Sequence, residues 1–142
     1  MQVQEIMTQH WNSLSPKDTL QKACNEMFDR DFGFLPIQEN GSLVGVVTDR
    51  DIAIRAVAKN KAPNTPLKEI LTKEVITIHE DDDIKAAAKK MEKNQIRRLV
   101  VLNKDEKISG VISLADIATH CDEKMNGEII HAISKKERRV QH

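Results

Sequence analysis

Residues 6 to 55 can be laid over residues 70 to 120 almost without a gap, and this internal repeat constrains the fold more than any other feature of the chain. Ile6-Met7-Thr8 falls on Ile70-Leu71-Thr72, and Leu20, Ala23, Met27, Leu35 and Ile37 fall at the same offset on Ile84, Ala87, Met91, Leu99 and Val101. Past the turn Asn40-Gly41-Ser42 the offset grows by one residue, so that Gly45-Val46-Val47-Thr48 meets Gly110-Val111-Ile112-Ser113 and Asp51-Ile52-Ala53 meets Asp116-Ile117-Ala118. One insertion in a turn, where insertions are tolerated, accounts for the change. In a chain of 142 residues each copy has a size at which a lone unit buries too little surface, so the two halves are expected to share a core.

Each copy reads as the same string of elements. A short segment, Trp11 to Leu14 or Val75 to Ile78, has the length and side chains of a strand. A helix follows, with Leu20, Ala23, Cys24, Met27 and Phe28 in copy one and Ile84, Ala87, Ala88 and Met91 in copy two spaced as an apolar stripe. Asp81, Asp82 and Asp83 precede the second of these helices, where its dipole favours negative charge. Two apolar runs joined by a polar turn then predict a hairpin, most clearly at Asn40-Gly41. A second helix closes each copy, over about 49–58 and 114–125. The predicted class is α/β, with β-α-β-β-α occurring twice: domain one over 1–62, domain two over 63–125, and a helical tail over 126–142.

The composition narrows the function classes. Twenty-two basic residues balance 22 acidic ones, so no general field draws the protein to nucleic acid or an anionic membrane, and any anion site must be local. No apolar run approaches the roughly 18 residues of a membrane span, and the start of the chain lacks the pattern of a secretory signal. Cys24 and Cys121 are far apart and read as reduced thiols of a cytoplasmic protein. The basic cluster at 135–139 reads as a solvated helix end, and the chain has no interleaved aromatics for stacking on bases.

The chemistry concentrates in Gly45-Val46-Val47-Thr48-Asp49-Arg50-Asp51 and Gly110-Val111-Ile112-Ser113-Leu114-Ala115-Asp116. In each, a strand ends on a hydroxyl residue and a helix begins with a carboxylate three positions later. Such a mouth can accept both hydroxyls of a ribose, and the helix start favours a nearby phosphate. The same spacing is also a capping box, which needs no ligand, and at this point both readings stand.

The chain resembles the cystathionine-β-synthase (CBS) domain family from Ile6 to His120. The resemblance lies in the paired openings Ile-Met-Thr and Ile-Leu-Thr, in Phe-Leu-Pro-Ile and Arg-Arg-Leu-Val-Val before the turns, and in Gly-Val-Val-Thr-Asp-Arg-Asp and Gly-Val-Ile-Ser-Leu-Ala-Asp after them. It implies two copies packed about a pseudo-two-fold axis as one module, with clefts between them that bind AMP, ADP, ATP, S-adenosylmethionine or related adenosine compounds. On that pattern Thr48 with Asp51, and Ser113 with Asp116, would hold ribose; Arg97 and Arg98 would meet phosphate; and Asn12, Ser13, Ile76 and Thr77 would border the base. Copy one departs from the pattern, with Gly33 and Phe34 where copy two has the arginines. The resemblance further implies a homodimer and a regulatory role toward an effector protein that the sequence does not identify.

No catalytic set is visible. His10, His79, His120, His131 and His142 are scattered without ligand spacing, and neither a Cys-x-x-Cys pair nor a phosphate-loop motif is present. The competing class is an interaction or dimerisation module of the same fold without a nucleotide ligand.

Overall fold

The computed structural model describes residues 1–9, 12–120, 127–128 and 130–133, and the chain divides into two compact units. One, the copy-one unit, comprises residues 10–75; the other, the copy-two unit, comprises 1–9 and 76–142.

In the copy-one unit an extended stretch leads to α1 (Leu20–Arg30), capped by the Thr19 hydroxyl on the Lys22 N–H. β1 (Phe34–Glu39) and β2 (Ser42–Thr48) form the expected antiparallel hairpin. Its turn works because Asn40 and Gly41 both take positive φ, 53° and 82°, which matches the twist of the flanking strands. β2 runs straight into a helical stretch that begins as α2 (Asp49–Asp51), continues as a π-helix over Ile52–Ala56 and ends as a 3-10 turn over Val57–Lys59. Asn60, left-handed at φ 59°, stops it.

The copy-two unit repeats the order with β3 (Thr77–His79), α3 (Ile84–Asn94), β4 (Arg98–Leu102), β5 (Ile108–Ser113) and α4 (Leu114–Ala118). β4 runs parallel to β3 and antiparallel to β5. The first strands are shorter than expected. In copy one only Leu14 bridges Ile37, with Trp11 outside the described residues, and in copy two the ladder starts at Thr77, opposite Val100. Residues 121–125, where the sequence predicts the end of the second closing helix, and the basic cluster at 135–139 also lie outside the described residues.

The opening triplets do not pair within their own copies. Thr8 exchanges backbone hydrogen bonds of 2.8 and 2.9 Å with Val111 of β5, and Thr72 exchanges bonds of 2.9 and 2.8 Å with Val46 of β2. Each opening therefore adds an edge to the sheet built from the other copy. The approach is close enough to demand glycine: a Cβ on Gly45 would stand 2.6 Å from the Thr72 carbonyl oxygen, and one on Gly110 would stand 3.0 Å from that of Thr8 and 2.5 Å from Met7 Sδ.

Each unit has its own apolar cluster, completed by the exchanged segment. Leu14, Leu20, Ala23, Leu35, Ile37 and Val47 pack with Leu67, Ile70 and Leu71 in the copy-one unit. In the copy-two unit Ile78, Met91, Leu99, Ile112 and Ile117 pack with Val3 and with Ile133 of the tail. The stripe expected on α1 needs one correction. Phe28 is 87% exposed, whereas Glu26 is buried. At about 100° per residue Phe28 stands about 140° from Ala23, the centre of the buried arc, and Glu26 only about 60° away. Position 28 therefore leaves the core while a carboxylate enters its margin.

Candidate functional site

Both strand-to-helix mouths are built on a reciprocal cap. In the copy-one unit Thr48 Oγ1 accepts the Asp51 N–H at 3.1 Å, and Asp51 Oδ2 accepts the Thr48 N–H at 3.0 Å. In the copy-two unit Ser113 Oγ accepts the Asp116 N–H at 3.0 Å and Asp116 Oδ2 accepts the Ser113 N–H at 2.8 Å. The capping box is therefore real in both copies, and any ligand role of these carboxylates comes in addition to it.

Beyond the cap the two carboxylates differ. Asp51 is 9% exposed, and the Thr72 hydroxyl donates to its two oxygens at 3.1 and 3.2 Å. Arg55 adds an ion pair, its Nε 3.7 Å from Asp51 Oδ1, while its Nη1 reaches the carbonyls of Ile70 and Leu71 at 3.4 and 3.3 Å. Asp116 is half-buried, and among the described residues its Oδ1 accepts no hydrogen bond; Thr8, the counterpart of Thr72, does not bond to it. The exchanged segment thus occupies one carboxylate and, among the described residues, leaves Oδ1 of the other open to a hydroxyl donor.

The hairpins bring the flanking residues to these mouths. Phe34 pairs with Thr48, and Arg98 pairs with Ser113. The Asp49 N–H donates to the Gly33 carbonyl at 3.0 Å, and the Leu114 N–H to the Arg97 carbonyl at 2.7 Å. Arg97 and Arg98 are exposed beside the Ser113 mouth. In the parallel alignment set by Leu14 with Ile37 and by Thr77 with Val100, residues 12–13 and 76–77 lie toward the ends of β1 and β4 that carry Phe34 and Arg98.

Two residues that sequence reasoning missed fix these first segments. Glu26 accepts both the backbone and the side-chain N–H of Asn12, each at 2.8 Å, and pairs with Arg30 at 3.2 Å. Burial works to raise its carboxyl, but the Asn12 donors and Arg30 outweigh that and hold it below its ordinary value. The Asn12 amide is thereby committed to Glu26, and Ser13 Oγ accepts from Gln38 Nε2. At the matching place on α3, Lys90 Nζ donates to the Thr77 carbonyl at 2.6 Å. An acid and a base thus perform the same tethering at repeat-equivalent positions. The repeat comparison could have exposed the pair as a change of charge at an otherwise matched helical position. His79 forms an exposed pair with Glu106 at 2.7 Å, which holds its imidazole above the ordinary range. Among the described residues no three His, Cys, Asp or Glu side chains are grouped to hold a metal.

Comparison with known proteins settles the family. The sequence profile of the CBS domain matches residues 3–57 and 67–123. The chain belongs to the CBS domain family. Its two copies are CBS repeats, each with one strand-to-helix mouth. The CBS domain-containing protein YhcV of Bacillus subtilis (strain 168) is 32% identical over 118 residues, covering 83% of this chain and 84% of that protein. The crystal structure of the CBS domain pair of protein MJ0100, in complex with 5′-methylthioadenosine and S-adenosyl-L-methionine, is 30% identical. It aligns with a TM-score of 0.73 over 84% of this chain and 94% of that one. The CBS domain protein PAE2072 from Pyrobaculum aerophilum, complexed with AMP, is 29% identical and aligns with a TM-score of 0.75 over 89% and 95% of the two chains.

Proposed function

We propose that this chain is a regulatory module that binds adenosine-containing ligands, of the class of AMP, ADP, ATP or S-adenosylmethionine, at the strand-to-helix mouths of its CBS repeats and catalyses no reaction itself. The observation that carries the reading is Asp116. Among the described residues one of its carboxylate oxygens accepts no hydrogen bond, and the carboxylate stands next to the Ser113 hydroxyl and close to the chain entry of β4 with its two arginines. That set suits a nucleotide: the carboxylate accepts ribose hydroxyls, and planar guanidinium groups meet phosphate oxygens in pairs. In this reading Ser113 and Asp116 hold ribose, Arg97 and Arg98 face the phosphate, and Ile76 and Thr77 border the base. Thr48, Asp51, Asn12 and Ser13 take the corresponding roles in copy one, where a ribose must compete with Thr72 for Asp51. The structures of relatives in complex with AMP, or with 5′-methylthioadenosine and S-adenosyl-L-methionine, support the ligand class.

Calorimetric titration with AMP, ATP, S-adenosylmethionine and NAD tests this. Binding of at least one adenosine compound is expected, with Asp116→Asn weakening it by about one to two orders of magnitude, since a hydrogen bond to a charged acceptor is worth about 1.5–3 kcal/mol. Absence of binding up to millimolar concentration would sink the proposal.

A second reading, an interaction module, draws on the apolar side chains of the copy-one helices. Phe28 is 87% exposed, Val57 71% and Ile54 45%. On this basis we propose a homodimer; sedimentation that finds only a 16.1 kDa species at micromolar concentration would refute it. We also place the protein in the cytoplasm. Cys24 is an unpaired thiol, which burial pushes to a higher pKa, and such a thiol suits a reducing compartment. Recovery of the protein from a secreted fraction would contradict this.

A further inference from the structure

The two mouths carry opposite charge at the same structural place. In each unit the first helical residue donates its backbone N–H to the residue that precedes the second strand of the repeat. The bond runs from Asp49 to Gly33 at 3.0 Å in one unit and from Leu114 to Arg97 at 2.7 Å in the other. The backbones are therefore equivalent here, and the side chains can be compared directly. Copy two presents an exposed arginine against leucine, whereas copy one presents glycine against an exposed aspartate.

The glycine and the aspartate are linked. A Cβ on Gly33 would stand 2.8 Å from Asp49 Cγ and nearer still to Oδ2, so the Asp49 carboxylate fills the space from which an arginine at position 33 would have to start. The Phe32 and Phe34 rings meet edge to face on either side of Gly33, with centroids 6.5 Å apart. An acid beside two aromatic rings repels phosphate, and it favours an apolar or cationic group through ring contacts and charge.

We propose that the two ligand positions select by charge. The position bordered by Arg97 and Arg98 takes adenosine compounds that carry a 5′-phosphate. The position bordered by Gly33, Asp49 and the phenylalanine pair excludes phosphate and takes an adenosine compound whose 5′ substituent is uncharged or cationic. This rests on the adenosine reading above and adds the ligand class at each position.

The test is calorimetry on the full chain with AMP and with 5′-methylthioadenosine as probes, at about 0.15 M salt. In the wild type, 5′-methylthioadenosine is expected to fill two positions per chain, and AMP to fill one position at least about tenfold more tightly than the other. Asp49→Asn and Asp49→Leu should each bring the two AMP affinities together while leaving 5′-methylthioadenosine unchanged. Arg97→Ala should weaken the tight AMP position, again without effect on 5′-methylthioadenosine. Asp49 is exposed; its backbone makes the bond to Gly33 and its Oδ1 accepts the Arg50 N–H at 2.8 Å, an acceptor that asparagine keeps, so Asp49→Asn should leave the thermal melt intact and Asp49→Leu should lower it slightly. Two equivalent AMP positions in the wild type, or unequal ones that neither Asp49 variant brings together, would overturn the charge selection and leave the adenosine reading standing. Failure of both probes to bind the wild type would instead overturn the adenosine reading, and the charge selection with it.

Discussion

Replacing Asp51 with alanine strips the copy-one unit of a buried carboxylate that accepts the Thr48 N–H at 3.0 Å and the Thr72 hydroxyl at 3.1 and 3.2 Å. A hydrogen bond to a charged acceptor is worth about 1.5 kcal/mol at the low end, so losing both costs about 3 kcal/mol. The Arg55 pair adds little, because the Arg55 side chain is 51% exposed and solvent screens it. Asp116→Ala removes only the equivalent bond from the Ser113 N–H, worth about 1.5 kcal/mol on the same scale. The two variants should therefore differ by the Thr72 bond, about 1.5 kcal/mol, or about 3–6 °C in melting temperature for a chain of this size. The origin of the difference is checked by double-mutant cycles in urea, with Asp51→Ala and Thr72→Val in one and Asp116→Ala and Thr8→Val in the other. Coupling of about 1 kcal/mol is expected in the first cycle, and none beyond the usual error of about 0.4 kcal/mol in the second. Equal coupling in the two cycles would refute the claim that the exchanged threonine occupies only one of the carboxylates.

Three more outcomes follow from the same contacts. Gly45→Ala should destabilise by about 2–3 kcal/mol, because the new methyl meets the Thr72 carbonyl at 2.6 Å. Gly110→Ala should cost about half as much, since the flexible Met7 thioether can move aside; chemical denaturation ranks the two. A fragment of residues 1–64 lacks Leu67, Ile70 and Leu71 of its own core and leaves Val3 without its cluster, so it should give no cooperative monomeric melt. Glu26 is held below its ordinary pKa of 4.5, so its contribution to stability is fully present above that value and is lost as pH falls through the lower folded value. Glu26→Gln should flatten the acid limb of stability against pH, and an unchanged limb would show that the Asn12 clasp does not contribute.

The repeat made the element order, the Asn40-Gly41 turn and both capping boxes legible, because each depends on residues close in sequence. The exchange of the opening triplets was not legible. Ile6-Met7-Thr8 reads equally well as an edge to either copy, and only the packing at Gly45 and Gly110 decides between them. The helical stripe misled at Phe28, since a pattern of apolar residues does not tell which part of a wide arc faces inward. Glu26 escaped notice for the related reason that a carboxylate on a helix reads as solvated until its donors are known. At the candidate site the sequence located Asp51 and Asp116 but made them look alike. Their difference comes from Thr72 and Arg55, of which one is far away in the chain.

The exchange of edges also sets an order of completion during synthesis. The unit built from 10–75 has all its parts once residue 75 has been made, whereas the other needs residues 1–9, made before that unit, together with β5, made after it. Val3, Ile6 and Met7 must therefore wait through the making of about a hundred residues before their apolar surface is covered, while the unit between them folds first. Anything that binds this opening while it waits holds the copy-two unit back and leaves the copy-one unit complete.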